Sequence, residues 1–245
     1  MEEKYNAIVL RAIDYKDNDK ILTLFTLENG VISAAIRGVK KSGAKLKFAA
    51  QPFCFCEFVL NKNGERRTVV SADIIESFYP IREDILKFYA GAVALEFVSQ
   101  FVQEGDGAKD IFLVLADFLK TLCYTDAPPR VALVKFLLEA LAFSGYEISV
   151  SGCKKCRKTI VNRTFFDFGT GSAVCEDCRV NTDVEINPNT LKLLEGANTL
   201  PFDELNKLTF PQMIECKAIK LLTYFIEVKA GVVLRTANEL LLLGK

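Results

Sequence analysis

Histidine is absent from the 245-residue chain, and so is tryptophan. Without imidazole there can be no His-dependent triad, no histidine proton shuttle and no metal site that needs a histidine ligand. The sequence also lacks a G-x-x-x-x-G-K-[ST] loop, a dinucleotide-type G-x-G-x-x-G and a G-x-S-x-G elbow. Any covalent chemistry would have to run through carboxylates or thiols. No apolar run approaches the ~18 residues of a membrane span. The opening stretch "MEEKYNAIVLRAIDYKDND" starts with acids and then alternates, unlike a signal or transit peptide. A soluble, cytoplasmic protein is expected.

Net charge is missing too: 31 basic residues balance 31 acidic ones. The chain therefore lacks the global basic signature of many nucleic-acid binders. The local balance is uneven. Residues 1–79 carry a net +2, 80–150 a net −4, 151–180 a net +3 and 181–245 a net −1. A polyanion is expected to touch the two ends of the acidic block rather than its middle.

What is present falls into three zones. Half of the residues are hydrophobic, ample for a packed core. Residues 4–77 read as a strand meander: "KILTLFTLENGVISAAIRG" sets Glu28-Asn29-Gly30 between two apolar runs, a hairpin signal. "PFCFCEFVLNKNGERRTVVSADII" repeats the pattern around Asn61-Lys62-Asn63-Gly64. Five strands are predicted, at 4–14, 20–27, 31–38, 53–60 and 66–76. One long connection separates the third from the fourth. That pattern suits a small Greek-key barrel of the OB type, with an SH3-like barrel as the other candidate. After Pro80, "REDILKFYAGAVALEFVSQFVQEG", "AKDIFLVLADFLKTLC" and "PRVALVKFLLEALAFSGY" have helical length, and their apolar residues spread around most of the circumference. Helices resume near Pro188 with "PQMIECKAIKLLTYFIEVKAG" and the short "RTANELLLLG". The fold class is α+β: a five-stranded OB-type barrel over 1–79, then a helical domain over 80–150 and 181–245, interrupted by an insert at 151–180.

That insert contains "CKKCRKTIVNRTFFDFGTGSAVCEDC", with Cys153, Cys156, Cys175 and Cys178 in C-x2-C-x18-C-x2-C spacing. Each Cys-x-x-Cys forms a knuckle that aims two sulfurs at one point. Two knuckles complete a tetrahedron with Zn–S distances of ~2.3 Å. The stretch between them alternates and carries Gly169-Thr170-Gly171, so it reads as a hairpin. One structural Zn²⁺ with a closed ligand set is expected. A rubredoxin-like iron site would use the same sulfurs. A thioredoxin-type motif would need a helix start after a strand, whereas both pairs lie in polar, loop-like sequence. Lys154, Lys155, Arg157, Lys158 and Arg179 surround the knuckles, but four thiolates and one Zn²⁺ sum to −2, which reduces the local +3 to +1. The insert reads first as a clip that organises a segment too small for its own core. Cys54, Cys56, Cys123 and Cys216 are expected to be buried thiols.

The barrel carries a second feature. "IRGVKKSGAKLKF" places Arg37, Lys40, Lys41, Lys45 and Lys47 in one loop without an acid. Several flexible cations beside a barrel face suit phosphate binding.

Taken together, "AIVLRAIDYKDNDKILTLFT", "ENGVISAAIRGVKK", "QPF" and a "KFLLEALAFSGY" helix leading into the four-cysteine insert resemble the bacterial RecO family of DNA-repair and recombination-mediator proteins. The resemblance covers nearly the whole chain. It implies an OB domain, a helical domain with a zinc module, and no catalytic site. It further implies binding of single- and double-stranded DNA and annealing of complementary strands. The implied protein partners are RecR, for loading recombinase onto coated DNA, and the acidic C-terminal tail of single-stranded-DNA-binding protein. Arg37, Lys40 and Lys41 match the family's basic stretch, and Lys45 and Lys47 extend it. Lys135, with Arg130 as a companion, falls where the resemblance places a tail-binding cation. Two other classes remain open: a zinc-ribbon adaptor that binds proteins in transcription or assembly, and a thiol-redox enzyme using the Cys-x-x-Cys pairs.

Overall fold

The computed structural model describes residues 1–161 and 163–243. They group into two compact units, Met1–Ile85 with Leu95–Leu119, and Leu86–Ala94 with everything from Lys120 onward. Two helices, α1 (Ile85–Phe101) and α2 (Lys109–Tyr124), are divided between the units.

The first unit is built on five strands: β1 (Glu2–Tyr15), β2 (Asp19–Thr26), β3 (Gly30–Ile36), β4 (Phe55–Asn63) and β5 (Arg66–Glu76). They close into a barrel in the order β1-β2-β3-β5-β4, the OB-like arrangement expected from the sequence. β1 is long enough to serve two neighbours. Its first half pairs with β4 from Glu2↔Asn61 to Ile8↔Phe55, and its second half pairs with β2 as far as Tyr15↔Asp19. A register shift between Val9 and Arg11 bends the strand where it changes partner. A parallel contact at Ala35↔Thr68 completes the closure. Alternate side chains, among them Val9, Leu22, Leu24, Ile32, Phe58 and Leu60, point inward and fill the barrel.

Both predicted hairpins are present, and their glycines adopt left-handed backbone, Gly30 at φ +65° and Gly64 at φ +62°. Gly30 has a second reason to be glycine: a Cβ there would lie 2.1 Å from the Gln103 carbonyl oxygen. The turn is stitched to the segment after α1, where the Gly105 N–H donates to Asn29 O at 3.1 Å. Phe112 of α2 packs against Phe25 and Phe55, with centroids 5.2 and 5.6 Å apart. These contacts explain why residues 95–119 group with the barrel.

The second unit centres on α3 (Pro129–Phe143), where every residue from Arg130 to Leu138 is buried. A helix buried all round needs neighbours on several sides, and α4 (Pro188–Thr199) and α5 (Gln212–Ala230) supply them. Gly231, at φ +67°, ends α5, and α6 (Arg235–Leu242) follows. The insert contains the expected hairpin, β6 (Thr164–Asp167) and β7 (Ser172–Cys175), plus an unforeseen third strand, β8 (Val184–Ile186), in the order β7-β6-β8. Phe166 anchors this sheet edge-on against Phe225 of α5, at 6.2 Å between centroids. Among the described residues no helix is long and apolar enough to cross a membrane.

The remaining thiols depart from expectation in part. Cys54 precedes β4 rather than lying within it; it and Cys56 are buried, with their sulfurs 3.4 Å apart. Cys123 and Cys216 are only half-buried. Cys216 sits between buried Glu215 and exposed Lys217, at the border of the buried face of α5.

Candidate functional sites: a thiol cluster and a barrel cleft

The four insert cysteines converge. Their sulfurs all lie within 4.8 Å of one another. Cys156 Sγ and Cys175 Sγ are 3.8 Å apart; a tetrahedron with ~2.3 Å metal–sulfur bonds has edges of about 3.8 Å. The cluster can hold a metal ion. Local backbone shapes the first knuckle: the Arg157 N–H donates to Cys153 O at 2.8 Å, with Arg157 in left-handed conformation at φ +62°.

The thiols are not equivalent. Burial pushes the Cys153 thiol up, but backbone N–H groups of Cys156, Cys175 and Lys155 favour its thiolate and bring it down to about 6. Cys178 is pushed up to about 12, first by its hydrogen bond with Cys175. Four crowded sulfurs cannot all ionise unaided, and a divalent cation would relieve that repulsion.

The cations around the cluster are partly engaged inside the insert. Lys155 Nζ donates to Cys178 O at 2.9 Å and lies 3.8 Å from Asp183. Arg179 lies 4.9 Å from the Phe165 ring centroid, and Arg163 bridges Glu176 and Glu185. Lys154, Arg157 and Lys158 remain exposed.

In the barrel, all five predicted loop cations are exposed, but they are not alike. The loop is pinned: Val39 and Leu46 pack onto the barrel core, and the Gly38 N–H donates to Asp19 Oδ1 at 2.8 Å. Lys40 Nζ donates to Asp14 Oδ2 at 2.6 Å. That bond, with Lys20 nearby, holds the Asp14 carboxyl below its usual range. Lys47 Nζ donates to Ser42 O at 3.0 Å. Lys41 and Lys45 have no carboxylate within ion-pairing reach among the described residues.

Beside this loop lies a cleft of about 700 Å³, crossing β2 and β3 and reaching the β1–β2 and β4–β5 turns. Of the five loop cations only Arg37 lines it; Lys16, Arg66 and Arg67 join from the turns and β5. Sequence reasoning missed these three. Their signal was "GERRTV", a basic pair directly after a tight turn. Lys16 Nζ lies 5.2 Å from the half-exposed Tyr15 ring, while Arg67 is buried and tied to Glu104 at 2.6 Å and to Glu3 at 3.5 Å. OB barrels bind oligonucleotides on the face of strands 2 and 3 and on these same two turns.

The tail-binding expectation for Arg130 and Lys135 needs correction. Both are buried, at 5% and 3% exposure. Arg130 donates to Leu243 O at 2.7 Å and lies 4.0 Å from Glu215. Lys135 donates to Glu139 at 2.6 Å and lies 5.1 Å from the Phe202 ring centroid. On a helix buried all round, a cation must find its partners within the protein, so neither is offered to a passing carboxylate.

Comparison with known proteins completes the picture. Residues 1–78 match the family described as Recombination protein O N terminal, and residues 82–236 match Recombination protein O C terminal. A DNA repair protein RecO from Pelotomaculum thermopropionicum is 32% identical over 230 residues, 91% of this chain and 89% of the relative. One from Caldicellulosiruptor bescii is 29% identical over 221 residues, covering 90% and 89%. One from Myxococcus xanthus is 28% identical over 245 residues, covering 99% of each chain. The chain belongs to the RecO family of DNA repair proteins.

Proposed function

We propose that this chain is a cytoplasmic, non-catalytic recombination mediator. It binds single- and double-stranded DNA, anneals complementary strands, and helps load recombinase onto DNA coated by single-stranded-DNA-binding protein. The observation that carries this reading is the cleft across β2 and β3, bordered by Lys16, Arg37 and Arg66 and continued by the basic loop through Lys40, Lys41, Lys45 and Lys47. Cations arranged along two sides of one groove can neutralise phosphates of two strands, lowering their repulsion enough for bases to pair. Tyr15 offers a ring on which a base can stack.

In this reading residues 1–79 form the DNA-binding domain, and 80–150 with 181–245 the helical domain. Residues 151–180 are a clip that Cys153, Cys156, Cys175 and Cys178 close around one Zn²⁺. Zinc fits the donor set, four sulfurs at tetrahedral spacing, and supplies folding energy rather than chemistry. RecR and the acidic tail of the coating protein are partners by kinship, with the tail docking elsewhere than on Arg130 and Lys135.

Annealing of complementary oligonucleotides, with and without the coating protein, tests the reading. The double reversal R37E/R66E should abolish annealing and weaken oligonucleotide anisotropy binding at least tenfold without changing the circular dichroism spectrum. Undiminished annealing by that variant would assign the function elsewhere.

A further inference from the structure

The insert's small sheet has one covered edge and one open edge. Along β7, the Ser149 N–H donates to Gly171 O and the Ala173 N–H to Ser149 O, both at 2.9 Å, so residue 149 occupies that side. On the other side the sheet ends at β8. Among the described residues, the backbone of Val184, Glu185 and Ile186 pairs only with β6. Unpaired edge groups are a template for another strand.

A groove of about 280 Å³ runs along this edge, between β8, the start of α4 and one face of α5. Phe168, Val184, Ile186, Leu221 and Tyr224 give it an apolar lining. Two of these remain substantially exposed, Val184 at 49% and Tyr224 at 52%. The volume is below the ~300 Å³ at which small-molecule sites begin, which suits a side chain better than a free metabolite. Lys217 and Lys220 stand on the same helical face as Leu221 and Tyr224, both exposed. Among the described residues neither has an ion-pair partner. The acid lining the groove, Glu185, is held by the Arg163 guanidinium at 2.8 and 2.5 Å. Thr190, 2% exposed, also lines the groove, and its Oγ1 has no hydrogen-bond partner.

An open strand edge, an apolar slot, two uncompensated lysines and an orphaned hydroxyl together describe one kind of ligand. We propose that this groove docks an extended acidic segment of a partner protein. The segment's backbone adds to β8, an apolar side chain fills the slot, and its carboxylates meet Lys217 and Lys220. In an extended chain successive side chains face opposite ways, so an alternating acidic and apolar sequence can satisfy the slot and the lysines together. A nucleic-acid strand could use Tyr224 and the lysines, but it would leave the strand edge unpaired. The inference is carried by the second unit alone and does not rest on the DNA-binding reading of the barrel.

The test uses the full chain with three fluorescein-labelled probes: an octapeptide of alternating glutamate and phenylalanine, its lysine–phenylalanine counterpart, and a single-stranded oligonucleotide. The acidic peptide should bind and the basic one should not. K217E/K220E should weaken the acidic peptide at least tenfold, and Y224A several-fold, while oligonucleotide affinity and melting temperature stay unchanged. Amide resonances of residues 184–186 in the unmodified protein should shift on adding the acidic peptide, a readout independent of any variant. Three results overturn the proposal: no binding of the acidic peptide, equal binding of both peptides, or amides at 184–186 that do not move. Loss of oligonucleotide rather than peptide binding in K217E/K220E also overturns it, and makes a nucleic acid the occupant.

Discussion

Lys40 and Lys41 are adjacent and both exposed, yet they should contribute unequally to DNA binding. Lys40 Nζ is 2.6 Å from Asp14, whose carboxylate also has Lys20 at 3.6 Å. Asp14 is held below its usual carboxylate range, chiefly by the Lys40 hydrogen bond. It is therefore ionised at every pH above about 4, and the pair is lost only as pH falls through that depressed value. A phosphate approaching Lys40 must compete with this carboxylate, whereas Lys41 and Lys45 are uncompensated. On single strands each phosphate neutralised contributes about −0.7 to the slope of log K against log[salt]. Replacing Lys41 and Lys45 by alanine should flatten the slope by about 1.4, so that a rise from about 50 to 200 mM salt weakens binding by roughly sevenfold less than in the parent. K40A should flatten it by clearly less than about 0.7. D14N, by releasing Lys40, should steepen the slope and tighten binding at low salt. Fluorescence anisotropy with a single-stranded oligonucleotide, titrated at several salt concentrations, reads all three. Equal slopes for K40A and K41A, or weaker binding by D14N, would refute the assignment of distinct roles to these lysines.

Two further outcomes follow from the packing. G30A should destabilise the barrel by well over the ~1–2 kcal/mol of a left-handed alanine, because its Cβ would also strike the Gln103 carbonyl at 2.1 Å; G64A, with nothing within 4 Å, should show the conformational cost alone. Urea denaturation of the two variants measures the difference. Stripping the metal with a chelator at neutral pH, or replacing Cys153 by serine, should disorder the insert and lower the melting temperature, while oligonucleotide binding at the barrel falls less than twofold at low temperature. Elemental analysis before and after chelation checks that one zinc per chain leaves.

Some of this was legible in the sequence because the causes are local. Strand alternation, turn glycines and the doubled Cys-x-x-Cys act over a few residues, and each produced the element expected of it. What stayed hidden depends on contacts far apart in the chain. Nothing local marks Gly30 as the seat of the Gln103 carbonyl, nor β8 as a third strand, since three residues are too few to show a period. Lys135 is the sharpest case. A lysine in an apolar helix reads equally well as a site cation or as a buried one, and only the Glu139 carboxylate at 2.6 Å and the ring of Phe202 decide between them. The basic loop shows the converse. Its composition was evident, but exposure does not separate Lys40 from Lys41, because the distinguishing carboxylate lies twenty-six residues upstream on β1. Charge composition thus identifies a region that can meet phosphate, and the positions of the acids decide which cations in it are free to do so.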